Sequence, residues 1–197
     1  MAGFQLNTLH ACLARLSTAR GNARAGLIAD ILISVALLGA GLWRNEIGIT
    51  AAVATIFSGL MLFSLVEYVF HRWLFHGYAG LLAQGHRQHH EDPTGYDALP
   101  FFMPPLAMLA LASILGAVAP TSIALLLTGA LAAGYAAYGL GHTTIHGKRF
   151  QQPLVRRWAA SHHIHHHHPD RNFGVTTPLW DIVLGTRYVP TRGQGER

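Results

Sequence analysis

The chain has 197 residues, of which 51% are hydrophobic and only 12% charged, and its formal net charge is +5. This balance excludes a disordered chain, which needs low hydrophobicity and high charge, and departs from a soluble domain, which carries about 25% charged residues. The single cysteine, Cys12, excludes an intramolecular disulfide and a cysteine-based zinc site.

Residues 1–26 are predicted to form a cytoplasmic amphipathic segment ahead of one main domain, 27–197. Apolar side chains recur in it at roughly helical spacing, at Phe4, Leu6, Leu9, Leu13 and Leu16. The segment has no apolar core followed by a small-residue cleavage site, so we expect no removable signal peptide.

Four apolar runs follow, at 27–43, 49–70, 104–119 and 121–141. A membrane-spanning helix needs about 20 mostly apolar residues. The second and fourth runs meet that length, whereas the first and third are short, and the third is also compatible with a paired or re-entrant helix. We therefore predict an all-α, polytopic membrane protein of about four transmembrane helices.

The distribution of Lys and Arg predicts the orientation. With four spans, one side of the membrane holds 13 of the 14 Lys and Arg residues and the other holds only Arg44. The positive-inside rule places the richer side in the cytoplasm. Loops that face anionic lipid head groups explain the basic pI, so we expect no nucleic-acid partner. Frequent Ala, Gly and Arg favour a bacterial inner membrane, and a eukaryotic endoplasmic reticulum membrane would fit the same topology.

Histidine is the main chemical signal in the sequence. Thirteen of the 14 histidines fall into four clusters, all on the predicted cytoplasmic side, and only His10 stands alone. The clusters are HRWLFH (71–76), HRQHH (86–90), HTTIH (142–146) and HHIHHHH (162–168). Their position predicts a histidine-rich metal-binding cap on the cytoplasmic ends of the helices.

The spacing within the clusters indicates how they bind metal. Side chains at i, i+3 and i+4 share a helix face, so His142 and His146 can converge on one ion. The triplets 86/89/90 and 162/165/166 can each give two ligands to one metal and the third to another. His71 and His76 are about 140° apart on a regular helix. They would then serve different metals, unless the helix unwinds between them.

Neutral imidazole is a common metal ligand, whereas few acidic residues lie beside these histidines. Glu67, four residues before His71, either orients a ligand through a hydrogen bond or caps the polar end of its span. We favour the first role slightly. The ligand type fits two iron ions that carry out oxygen chemistry and also fits zinc, and the spacing does not choose between them.

The series EYVFHRWLFH, GHRQHHEDP, HTTIH and HxxHH, followed by NFGVTTPLWDIVLGT, resembles the fatty acid hydroxylase / sterol desaturase superfamily over residues 60 to 188. The resemblance implies a helical membrane enzyme that binds two metals on its cytoplasmic face. Such an enzyme uses O₂ and electrons to hydroxylate or desaturate a lipid. Iron is the metal expected for activity.

Carried over by position, the resemblance implies ten metal ligands: His71, His76, His86, His89, His90, His142, His146, His162, His165 and His166. The last cluster can also be read in a second frame, with His163 and His167 as alternative ligands. The first frame is preferred because it keeps the spacing to Asn172-Phe173-Gly174. Trp180 and Asp181 are expected to be structural.

The spacing resembles most the branch that hydroxylates the acyl chain of a fatty acid or sphingolipid at carbon 2. Electrons are expected from a separate donor such as cytochrome b5 or a ferredoxin/reductase pair. The alternatives are a carotenoid or sterol hydroxylase or desaturase, and a non-catalytic metal-binding membrane protein. A metal transporter is less favoured because the centres of the four runs lack ionisable residues.

Overall fold

The structure is a computed structural model that describes residues 12–77 and 80–190. All regular elements in this part of the chain are helical. Of the predicted N-terminal segment, residues 12–17 are helical with Leu13 and Leu16 half-buried, whereas Phe4, Leu6, Leu9 and His10 lie outside the described residues. The cytoplasmic position of this segment stays a prediction.

After this segment, the part of the chain that the structure describes contains seven further helices, which are numbered in chain order. They are α1 (Arg20–Arg44), α2 (Ile49–Val69, continued by a π-helical turn, Phe70–Phe75), α3 (Leu81–Glu91), α4 (Met103–Gly116), α5 (Thr121–Gly147), α6 (Pro153–His167) and α7 (Leu179–Val183). The three longest helices carry three of the four apolar runs and α4 carries the other, whereas α3 and α6 carry two of the histidine clusters.

Three helices are long and apolar enough to cross a membrane: α1, α2 with its π-helical turn, and α5. Large apolar side chains on α1 and α2 stay exposed on the protein surface, including Leu32, Val35, Val53 and Phe57. Such side chains need lipid around them, because a soluble monomer rarely exposes contiguous apolar surface of this kind. The all-α membrane fold predicted from the sequence is confirmed.

The third apolar run differs from the other three. It forms only the 14-residue helix α4, which is about 21 Å long and shorter than a bilayer core of about 30 Å. At one end of α1, Asn22 accepts a hydrogen bond from the backbone N–H of Phe101. At the other end, Glu46 accepts one from the backbone N–H of Ser122. Residues 101–122 therefore connect the two ends of α1, with α4 covering part of the distance.

Helix α5 is the centre of the bundle, and α1, α2 and α4 pack against it. Small residues permit the close approach of these helices, as they do in other membrane bundles. A Cβ on Gly129 would lie 2.9 Å from the backbone nitrogen of Leu38 in α1, and one on Gly134 would lie 2.4 Å from the Phe63 ring in α2. This packing brings the histidine-bearing ends of α2 and α5 together.

Candidate metal centre

The histidines of four separate segments converge at one end of the bundle. His71 and His76 come from the end of α2, His142 and His146 from the end of α5, and the two triplets from α3 and α6. Two compact groups result, in each of which the candidate ligand atoms lie within 4.8 Å of one another. The first histidine set is His71, His76, His86, His90 and His165; the second histidine set is His89, His146, His162 and His166.

The π-helical turn explains how His71 and His76 reach the same set. The backbone N–H of His76 donates to the carbonyl of His71 across five residues, the hydrogen-bond pattern of a π-helix. Residues five apart then lie almost above one another, and the two imidazole rings stack with centroids 5.3 Å apart. Of the two possibilities that the sequence left open, the structure shows the change in helix geometry, and this change brings both side chains into the first set.

Each triplet divides between the two sets in the way its spacing predicts. His86 and His90 point into the first set, and His89 points into the second. On α6, His165 belongs to the first set, whereas His162 and His166 belong to the second. Helices α3 and α6 therefore bridge two adjacent sites.

His142 lies beside the second set. Its ring is 4.4 Å from that of His89 and 4.8 Å from that of His162, measured between centroids. Its buried Nε2 has no hydrogen-bond partner among the described residues. An unpaired buried nitrogen is costly, so this atom is suited to bind a further ligand such as a metal ion.

The structure also separates the two frames of the last cluster. His162 and His165 are buried and His166 is half-buried, whereas His163 and His167 are exposed. His168 is exposed as well and stacks on Tyr188, with ring centroids 4.4 Å apart. The side chains of the preferred frame are thus the ones brought to the centre, and their role as ligands stays a proposal.

Hydrogen bonds between the histidines do not account for all the close contacts among the Nε2 atoms of the first set. The Nε2 atom of His86 lies 3.0 or 3.1 Å from the Nε2 atoms of three other histidines: His71, His76 and His90. A neutral ring nitrogen either donates one hydrogen or accepts one. Two nitrogens at right angles on a metal, each about 2.1 Å away, are about 3.0 Å apart. The set therefore has the spacing of ligands around a cation.

Burial keeps these imidazoles neutral, which is the form that binds metal. Loss of solvation, followed by the nearby ring of His90, lowers the pKa of His76 to about 4. Burial and the His142 ring lower the pKa of His89 to about 2, and burial lowers that of His165 to about 3. At neutral pH each ring therefore keeps a lone pair for coordination.

Comparison with known proteins agrees with this geometry. The fatty acid hydroxylase family matches residues 56–186, which is more than half of the chain and includes all four histidine clusters. The chain belongs to the fatty acid hydroxylase family. The resemblance found in the sequence motifs is therefore confirmed.

Relatives of known activity match the same region. The chain is 33% identical over 146 residues to a dihydroceramide fatty acyl 2-hydroxylase of Arabidopsis thaliana, covering 68% of this chain and 60% of that protein. It is 31% identical over 149 residues to the fatty acid 2-hydroxylase of Homo sapiens, covering 65% of this chain and 38% of that protein. The chain therefore spans less than two thirds of the length of these relatives.

The fold has also been solved before. The visible hydroxylase domain of full-length scs7p superposes with a TM-score of 0.74 at 23% sequence identity, covering 90% of this chain and 70% of that chain. The likeness at this identity concerns the fold, which is a helical bundle of the same kind.

In this family member, the loop that follows α6 holds the outer nitrogens of two histidines. The Nδ1 atom of His71 donates to the carbonyl of Phe173, and the Nδ1 atom of His165 donates to the carbonyl of Arg171 at 2.7 Å. With the proton on Nδ1, each Nε2 presents its lone pair to the first set. This loop therefore orients both His71, which lies 102 residues before its acceptor Phe173, and His165, which lies six residues before its acceptor Arg171.

Glu67 acts on this loop and makes no hydrogen bond to a histidine among the described residues. Its buried carboxylate accepts the backbone N–H groups of Val175 and Thr176 and the hydroxyl of Thr176. The expected direct bond to a ligand is replaced by an indirect one, since the carbonyl of Phe173 occupies the outer nitrogen of His71. The carboxylate of Glu67 is instead hydrogen-bonded to donors of Val175 and Thr176.

Asp181 holds the same loop from the other side. Its buried carboxylate accepts the backbone N–H groups of Phe173 and Gly174, each at 2.8 Å, and the hydroxyl of Thr186 at 2.7 Å. A Cβ on Gly174 would lie 2.1 Å from the carbonyl oxygen of Thr177, so only glycine fits. Sequence reasoning assigned Asp181 to structure but missed its support of the loop. The sequence signal for this contact was the short spacing between the NFG motif (172–174) and the WD motif (180–181).

Proposed function

We propose that this chain is the catalytic part of an O₂-dependent lipid hydroxylase, an oxidoreductase that acts at carbon 2 of the acyl chain of a fatty acid or sphingolipid. The observation that carries the proposal is the pair of adjacent histidine sets, bridged by α3 and α6. Two metal ions held side by side suit a reaction that divides the two atoms of O₂. Family membership and the named 2-hydroxylases support the same chemistry.

The first histidine set would hold one iron ion, and the second set together with His142 would hold the other. When bound, the iron pair would supply the redox chemistry that activates O₂. In the balanced reaction, a C–H bond becomes C–OH with one oxygen atom, and the other leaves as water with two protons and two electrons. A separate protein such as cytochrome b5 or a ferredoxin/reductase pair would deliver the electrons.

The chain's own residues supply position and shielding. The Nδ1 contacts of His71 and His165 fix their ring orientations, and the loop held by Glu67 and Asp181 keeps those contacts in place. Most of the candidate ligands are buried or half-buried, which limits access of bulk water to the reacting centre. The lipid would reach the site from the bilayer, because the histidine sets lie at the ends of membrane-spanning helices.

We further propose that the site faces the cytoplasm of a bacterial inner membrane. The excess of Lys and Arg on the side that carries the histidines supports this orientation.

The test is mass spectrometry of lipids from cells that express the chain with an electron donor. Wild type should produce 2-hydroxy acyl lipids, and His142→Ala should lower the yield by about 100-fold or more, because it removes a candidate ligand. His167→Ala, an exposed change on α6, should leave the yield unchanged. Equal lipid profiles for wild type and His142→Ala would refute the proposal.

A further inference from the structure

A cavity of about 350 Å³ leads to the second histidine set from the protein surface. It lies between the end of α3, the loop that follows α3 and the turn before α1, and it has room for about ten water molecules. We call it the His89 cavity; its lining includes Thr18, Gln88, His89, Asp92 and Asp97. His89 is buried, whereas the other lining residues are exposed, so the cavity connects water with a candidate metal ligand.

Hydrogen bonds hold the walls of the His89 cavity in place. The backbone N–H of Ala98, in the loop that follows α3, donates to the carbonyl of Ser17 at 3.1 Å. The side-chain amide of Asn22, near the start of α1, donates to the carbonyl of Leu99 at 3.0 Å. These bonds fix the loop against the segment before α1, so the cavity is a built part of the fold.

The mouth of the His89 cavity carries negative charge. Residues 91–97 hold three of the nine acidic residues of the chain, Glu91, Asp92 and Asp97, and no Lys or Arg. Asp92 and Asp97 belong to the cavity wall. A cleft lined by charges of one sign raises the local concentration and the on-rate of ions of the opposite sign by about 10- to 1,000-fold. This cavity therefore attracts cations.

Other approaches to the histidines pass basic side chains. Arg87 is exposed on α3, and Arg156 and Arg157 are exposed on α6 ahead of its histidines. A neighbouring cavity has Arg15 in its wall and reaches no histidine of the described residues. Because like charges repel, these surfaces disfavour an incoming cation. The His89 cavity combines an acidic mouth with direct contact to the second set.

We propose that the His89 cavity is the route by which a divalent metal ion enters the second histidine set from water. This inference rests on the metal binding in the proposed function and deepens it. Asp92 and Asp97 attract the hydrated ion at the mouth, and Gln88 offers a further oxygen along the wall. His89 is the first candidate ligand at the inner end. The ring of His142, whose buried Nε2 lacks a hydrogen-bond partner among the described residues, lies 4.4 Å beyond it.

The experiment follows Co²⁺ uptake by the metal-free full chain in lipid nanodiscs, with visible absorbance for the rate and elemental analysis for the final content. The double variant Asp92→Asn/Asp97→Asn should take up Co²⁺ about tenfold more slowly at low salt, because two charges are lost from the mouth. Its final content should equal that of wild type. At about 0.5 M salt the difference in rate should largely disappear, since salt screens exposed charges. Asp170→Asn, an exposed change after α6, is the matched control and should leave the rate unchanged.

A second pair of variants tests the space in the cavity instead of its charge. Thr18→Trp places a large ring in the wall, whereas Thr18→Val removes the same hydroxyl with little change in size. Thr18→Trp should slow Co²⁺ uptake severalfold relative to Thr18→Val at both salt concentrations, because a steric block is not screened. The slowed phase should be the one that is missing from His89→Ala, which lacks a ligand of the second set.

Equal uptake rates in wild type and the double variant at low salt would overturn the inference, as would equal rates in Thr18→Trp and Thr18→Val. A lower final Co²⁺ content in the double variant would also overturn it, since the carboxylates would then act in binding and not in entry. If the double variant fails to fold, the Thr18 pair decides. Slowed uptake without a hydroxylated lipid product would refute the hydroxylase function and not the route, whereas product with equal uptake rates would refute the route alone.

Discussion

To bind a metal ion, each imidazole at the centre must direct one ring nitrogen inward, and its other ring nitrogen then needs a hydrogen-bond partner. For His71 and His165 the outer nitrogen donates to a backbone carbonyl of the loop after α6. This contact fixes both the ring orientation and the tautomer, so the inner nitrogen carries the lone pair. At the residue scale, the binding capacity of the centre depends on loop atoms as well as on histidines.

Removal of one histidine should affect the site to which it belongs. His89→Ala deletes a buried member of the second set, and we expect the purified chain to bind about one metal ion instead of about two. His163→Ala, on the exposed side of α6, is the matched control and should keep full metal content. Elemental analysis by plasma mass spectrometry measures both, and equal metal content in the two variants would contradict the assignment.

Glu67→Gln tests the indirect support of the centre. Glutamine has the same shape, but its amide nitrogen cannot accept the hydrogen bonds that the carboxylate receives from Val175 and Thr176. We expect a loss of about 2 kcal/mol of stability and a lower metal content. Thermal unfolding in detergent and metal analysis report the two effects. A stable variant with normal metal content would show that the loop does not depend on this carboxylate.

At the scale of elements, helix geometry determines which histidines meet. The π-helical turn at Phe70–Phe75 aligns two residues that a regular helix would separate, and it is a known device at functional sites. Helices α3 and α6 each divide their triplet between the two sets. Residues separated by three or four positions along a helix are neighbours on the same face, so one helix can present histidines to both sets. The two sites are therefore coupled through shared helices.

The contact between α2 and α5 is sensitive to side-chain size. Gly134→Ala would place a methyl group 2.4 Å from the Phe63 ring, so the two helices would have to separate. We expect a loss of about 2 kcal/mol and reduced metal binding, because the separation moves His71 away from the histidines of α5. Gly39→Ala on α1 meets no atom within 4 Å and should be neutral. Unfolding measurements on both variants should differ clearly; similar values would exclude this packing argument.

For the whole molecule, the bundle has its histidines at one end and the α1–α2 turn at the other. Hydrogen bonds at both ends of α1 tie the short α4 segment across the same distance. The single cysteine, Cys12, is exposed and lies just before α1. It therefore provides a natural marker for the side of the membrane that carries the start of α1.

The positive-inside rule predicts that a membrane-impermeant maleimide will label Cys12 only in inside-out vesicles. A variant with Cys12→Ser and Gly48→Cys moves the thiol to the α1–α2 turn, where a Cβ meets no atom within 4 Å. This variant should be labelled only in right-side-out preparations. The reverse pattern would place the histidine sets outside the cytoplasm.

The sequence alone was sufficient for the all-α membrane fold and for the family, because apolar run length and histidine spacing are local properties of the chain. It also predicted that His86, His89 and His90 share a face, since helical periodicity is independent of tertiary context. For residues 162–168 the periodicity allowed two frames, and the family resemblance favoured one of them. For α4, the sequence predicted only that the third apolar run is short for a membrane-spanning helix.

Only the tertiary structure decided how these parts combine. Helix packing brought His86 next to His71, and the π-helical turn joined His71 and His76 in one set. The partners of Glu67 and Asp181 lie in a loop whose position depends on contacts between distant segments, up to 109 residues apart in the chain. Hydrogen bonds and cavities of this kind form between groups that the linear sequence does not place together, so sequence patterns do not predict them.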